Sequence, residues 1–145
     1  MRFVTYGEKE TKTIAKAVAR GLKPGSIILA RGTLGAGKTA FAQGLAEGLK
    51  IKQVVNSPTF NIMKVYYGKN LNFYHIDAYR LESKDAVSDI GFDEVLGNED
   101  GVSFVEWPDF IPSWVKGYDN VFNLTINIIS EKKREIILEK EEKHE

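Results

Sequence analysis

Eight consecutive residues, Gly32-Thr33-Leu34-Gly35-Ala36-Gly37-Lys38-Thr39, fit the pattern Gly-x-x-x-x-Gly-Lys-Ser/Thr. On average composition, an accidental match in a chain this long has a probability of roughly half a percent. The chemistry such a run can do follows from its residue types. Glycines let the backbone curl until successive N–H groups point inward, which makes a cradle for phosphate oxygens. A helix opening at the end of the loop adds its partial positive charge. Lys38 is then placed to reach the β- and γ-phosphates of a nucleotide, and the Thr39 hydroxyl to ligate Mg²⁺.

A phosphate cradle does not say what becomes of the nucleotide. A carboxylate on the magnesium side and a group to orient water or an acceptor are also required. Two acids end apolar runs downstream. Glu106 follows Val102-Ser103-Phe104-Val105, and Asp77 follows Leu71-Asn72-Phe73-Tyr74-His75-Ile76. Strand ends of open α/β sheets are where active-site residues gather, so both acids are expected near the loop. His75 lies two residues before Asp77, so on a strand both side chains take the same face, from which His75 could orient that carboxylate. No Asn/Thr-Lys-x-Asp run and no Asp-x-x-Gly switch is present, which favours ATP over GTP. Fifteen of the 20 basic residues are lysines and only five are arginines. That scarcity argues against a kinase lid, which clamps its second substrate with several arginines.

These groups need elements to hold them. The run 26–30, apolar and short, reads as a strand buried on both faces, feeding the loop. Residues 38–49 read as the helix that leaves it, with Phe41, Ala42, Leu45, Ala46 and Leu49 on one face. An earlier helix over 8–21 carries Ile14, Val18 and Leu22 at spacing four, and Gly21 and Pro24 stop it. A first strand is expected at 2–5. Residues 61–67 and 71–77 read as two strands of a hairpin, because three residues cannot make a parallel crossover. Further strands are expected at 102–106, 121–129 and 134–139, a helix at 83–90 with Ser83 as N-cap, and a helical turn at 92–96. Early strand–helix alternation followed by antiparallel additions implies an α/β fold: a three-layer α/β/α sandwich around a mostly parallel sheet. The charged stretch 131–145 reads as a solvated hairpin and frayed tail.

Composition narrows the classes. At 145 residues the chain makes a single domain spanning 1–145. Hydrophobic residues are 43% and charged residues 28%, which excludes a disordered chain. Cysteine is absent, so disulfides, thiolate catalysis and cysteine-ligated zinc are excluded. No apolar run is long enough to span a membrane and none at the start resembles a signal peptide, so a cytoplasmic protein is expected. Twenty basic and 20 acidic residues give zero net charge, which argues against autonomous nucleic-acid binding.

Four motifs together, the loop at 32–39, Ser57-Pro58-Thr59-Phe60, His75-Ile76-Asp77-Ala78-Tyr79-Arg80-Leu81 and Glu106-Trp107-Pro108, resemble the TsaE (YjeE) family of bacterial P-loop ATPases. They occur in the family's order and at its spacings, and the resemblance covers nearly the whole chain. It implies an ATPase that assists threonylcarbamoylation of adenosine-37 in tRNA, with TsaD and TsaB as partners and tRNA met only through them. It implies that Thr59 belongs to a switch loop facing Mg²⁺ or the γ-phosphate, that Asp77 acts on the water or the metal shell, and that Glu106 serves Mg²⁺. Residues 32–39 would hold the ATP phosphates, with Thr39, Glu106 and Asp77 as metal-side groups. Trp107 would shield the site or meet a partner. Two other readings of the same residues are a small kinase and a nucleotide-gated binding module.

Overall fold

In a computed structural model, residues 1–33, 35–56, 63–77, 96–106 and 118–141 are described. The helices expected at 83–90 and 92–95, the switch segment 57–60 with Thr59, residues 78–81, Trp107, Phe110, Trp114 and Leu34 of the loop lie outside them.

The chain runs β1 (Arg2–Tyr6), α1 (Glu8–Arg20), β2 (Ile27–Arg31), α2 (Lys38–Gly48), β3 (Met63–Tyr66), β4 (Asn72–Asp77), β5 (Gly101–Glu106), β6 (Val121–Ile128) and β7 (Lys133–Lys140). All seven strands form one sheet in the order β1-β7-β6-β2-β5-β4-β3. The inner four, β6-β2-β5-β4, are mutually parallel. β3 joins β4 as the expected hairpin partner, β7 returns antiparallel to β6, and β1 pairs antiparallel with β7. The mostly parallel centre with antiparallel additions is therefore as expected. Element ends move by a residue or two, and Lys140 is no frayed tail but pairs with Phe122, while the Glu141 N–H donates to the Val121 carbonyl.

Strand β5 is buried at every position, because it is covered on both faces and flanked on both edges. On one face Ile28, Ala30, Phe73, Val102, Phe104, Leu124, Ile126, Ile136 and Leu138 meet Phe41 and Leu45 of α2 and Ala15 and Ala19 of α1. Phe41 stacks on Phe104 with ring centroids 6.4 Å apart. Ile27, Leu29, Ile76 and Val105, which alternate with these, are buried on the opposite face.

Both helices have local reasons to form. Glu8 and Glu10 sit in the first turn of α1 and Arg20 in its last, each complementing the helix dipole. Helix α2 carries no such charges and depends on packing, with seven buried residues in 11. Gly44 and Gly48, which weaken a helix on propensity alone, form the seam against α1. A Cβ at Gly44 would stand 2.5 Å from the Lys12 carbonyl oxygen and 2.8 Å from the Lys12 Cα, both backbone atoms that cannot step aside. Gly44→Ala should therefore lower Tm despite its better helix propensity, by an amount equivalent to about 1–3 kcal/mol. Thermal denaturation of the two proteins side by side checks this, and an unchanged or higher Tm would mean the helices can separate without cost.

Candidate functional site

Parallel pairing aligns the carboxyl ends of β2, β5 and β4. Ala30 pairs with Glu106, and Glu106 with Asp77, so the two acids stand side by side where the strands end. The chain leaves β2 one residue beyond Ala30 and enters the loop at Gly32. Here φ is +151°, and a Cβ would come within 2.8 Å of the Ile126 carbonyl oxygen, so only glycine lets the loop turn beside β6. Thr33 accepts from the Ala36 N–H through its carbonyl, at 3.0 Å. Gly37, with φ +114°, caps α2 and accepts from the Phe41 N–H at 2.9 Å. Lys38 and Thr39 open the helix, and Thr39 is half-buried in its first turn.

Lys38 is only 6% exposed, and its Nζ donates to the Gly32 carbonyl at 2.8 Å. Burial holds its pKa below the usual lysine value, while the Glu106 and Asp77 carboxylates pull it partly back. The ammonium therefore sits between the loop and both acids. Glu106 is also 6% exposed, and its Oε2 lies 2.9 Å from His75 Nε2. The strand reading correctly placed His75 on the face of Asp77, but its partner is Glu106 on the adjacent strand. Phosphate cradle, lysine and paired acids are thus brought to one edge. Thr59 and Leu34 lie outside the described residues.

The donor set is chemically suited to magnesium: a hydroxyl and two carboxylates are hard oxygen ligands. Among the described residues no three His, Cys, Asp or Glu side chains form a metal cage.

Sequence reasoning missed a cleft beside the loop. A cleft of about 230 Å³ opens beside the loop backbone at Gly35, Ala36 and Gly37, walled by Thr11 and Ala40 and by Glu131 and Arg134 of the β6–β7 turn. Arg134 donates from Nε to the Ala36 carbonyl at 3.1 Å and from Nη1 to the Ser130 carbonyl at 2.7 Å. The hairpin read as merely solvated is therefore fastened to the phosphate loop. The one signal available was Arg134 itself, an arginine in a run of lysines and glutamates.

Strand, loop, helix and paired acids define a domain of the P-loop NTPase-like class. The profile of the family described as threonylcarbamoyl adenosine biosynthesis protein TsaE matches residues 5–136, and the chain belongs to this family. Among its relatives, the tRNA threonylcarbamoyladenosine biosynthesis protein TsaE of Bacillus subtilis (strain 168) is 47% identical over 111 residues, 77% of this chain and 68% of that protein. The protein of the same name from Treponema pallidum (strain Nichols) is 37% identical over 136 residues, covering 94% of this chain and 98% of the other. A crystal structure of Bacillus subtilis YdiB superposes with a TM-score of 0.78 at 36% identity, covering 94% of this chain and 82% of that one.

The depressed Lys38 pKa has a stability consequence of definite sign. Between that lowered value and the ordinary 10.5, the unfolded chain holds a proton that the folded one has released. Stability from this group therefore rises with pH across that window, and its charged form disfavours the fold below it. Lys38→Met should lose this alkaline rise and be at least as stable as the wild type at neutral pH. Denaturant unfolding at a series of pH values checks it, and a Lys38→Met protein much less stable at neutral pH would contradict the assigned burial cost.

Proposed function

We propose that this protein is a Mg²⁺-dependent ATPase whose hydrolysis supports a TsaB–TsaD complex in threonylcarbamoylation of adenosine-37 of tRNA. The observation that carries the ATPase reading is the buried Lys38 ammonium, held at the loop between the Glu106 and Asp77 carboxylates. Family membership and the names of the relatives support the tRNA-modification role.

The residues divide the work by charge. Loop N–H groups of residues 32–39 and the N-terminus of α2 receive the phosphates, and Lys38 exchanges the Gly32 carbonyl for β- and γ-phosphate oxygens. Thr39 and Glu106 would hold Mg²⁺, with Asp77 in its shell or on the attacking water. The ion, when bound, neutralises charge developing between the phosphates. Charge balance supports this: without a divalent cation, phosphates would approach two carboxylates answered by one ammonium. Thr59 completes the γ-phosphate side in this reading. The cleft between Thr11 and Arg134 adjoins the loop and is open enough to take the adenine ring. Zero net charge fits a protein that meets tRNA through its partners rather than alone.

The deciding experiment is phosphate release from ATP with and without TsaB–TsaD. Slow release alone and stimulation by the partners are expected. Transfer of phosphate to an acceptor would replace the reading by a kinase, and nucleotide binding indifferent to hydrolysis by a binding module. Asp77→Asn and Glu106→Gln should each cut the rate by about 10²-fold or more while leaving Tm nearly unchanged. Full activity in either variant would remove that acid from the site.

For the base, Ala40→Phe should fill the cleft wall and weaken ATP binding by roughly tenfold or more. Binding of inorganic triphosphate at the loop should be unaffected. Calorimetric titration of both ligands measures the split, and equal loss for the two would place the base elsewhere.

A further inference from the structure

His75 is fully buried, at 0% exposure. Its ring is fixed edge-on to Phe104, with centroids 5.5 Å apart at 81°, and tilted against Phe73 at 6.0 Å. One ring nitrogen meets Glu106 Oε2 at 2.9 Å, and the other, Nδ1, is buried with no hydrogen-bond partner among the described residues. A carboxylate can only accept, so the facing Nε2 must carry the proton. Nδ1 then keeps a bare lone pair. A proton there would be a buried donor with nothing to receive it. The arrangement therefore selects one tautomer and one ring orientation.

The consequence falls on Glu106. Its carboxylate ends β5 and acts electrostatically on the Lys38 ammonium, partly offsetting the fall in pKa that burial imposes. Released from its strand neighbour, it would be drawn onto that ammonium and occupy the cation meant for phosphate. We propose that His75 is a positioning residue: by holding Oε2, it keeps Glu106 off Lys38 and leaves Oε1 directed to the magnesium side of the nucleotide. This rests on the Mg²⁺–nucleotide reading of the site.

Three substitutions isolate the bond. His75→Gln sets an amide nitrogen near the place of Nε2, whereas His75→Asn reaches only to the place of Nδ1. His75→Phe keeps ring shape without a donor. The measurement is ADP affinity by calorimetry in EDTA and in excess Mg²⁺, with circular dichroism melting as the control for folding. In the Phe and Asn variants the Mg²⁺-dependent gain in affinity should fall by roughly 10- to 100-fold, and His75→Gln should recover most of it. If the Phe variant does not fold, the Gln–Asn pair decides. Gln and Asn losing the gain equally, with Tm unchanged, overturns the proposal, as does a Phe variant that keeps it. Absence of any Mg²⁺-dependent gain in the wild type would instead sink the metal reading from which the proposal starts. Ring-labelled ¹⁵N spectra of the metal-free protein, with His75→Gln to assign the signal, supply a second readout. Nε2–H is expected, and Nδ1–H would overturn the assignment.

Discussion

Parallel hydrogen bonding among β6, β2, β5 and β4 is the constraint on which the rest depends. It forces four strand ends to the same edge, whatever the side chains there. The register then does the selecting. Ala30, Glu106 and Asp77 fall in one row, and the loop starts just past the row. A slip of one residue in β5 would turn Glu106 to the opposite face, away from Lys38 and His75. Burial of Val102, Phe104 and Phe73 against α2 therefore fixes the acids as firmly as it fixes the core. Packing and chemistry share the same alternation of side chains.

The loop depends on that frame in a second way. An ammonium taken out of water is costly unless it is answered by acceptors and opposite charge. Here the Gly32 carbonyl and two carboxylates supply both, offsetting part of the cost of burying the lysine. In the proposed reading the same acids would serve a cation once phosphates claimed the lysine, and His75 already meets one of them at 2.9 Å.

Much of this was legible in the residues. The phosphate cradle is a local sequence pattern, and Asp77 and Glu106 each end an apolar run, so a strand reading already put them at a sheet edge. The 61–77 hairpin was fixed by a connection too short for a crossover. What could not be read was anything set by order across the sheet. Nothing in 71–77 or 102–106 says that these runs are neighbours, so His75 was matched to Asp77, its neighbour in sequence, and not to Glu106 across the ladder. The 131–134 turn looked solvated because its charges are those of a surface. Its place beside the loop follows only from β7 lying between β1 and β6. Gly48 read as a weakness in α2 and proved to be a contact, since helix propensity carries no information about a second helix lying against it.

That position of β7 bears on the order of assembly. Among the described residues strand β1 pairs with β7 alone, and the Met1 amine donates to the Leu138 carbonyl across 137 residues of sequence. The cleft inherits the same long loop closure, with one wall from residues 7–11 and the other from 131–134. During synthesis the loop at 32–39, α1 and α2 emerge before β7, so the ladder that ties β1 into the sheet waits for a strand far along the chain. Contacts this distant are slow to form and expose edges until they do. The growing chain would thus form the loop at 32–39 well before the cleft beside it, one wall of which comes from the turn that leads into β7.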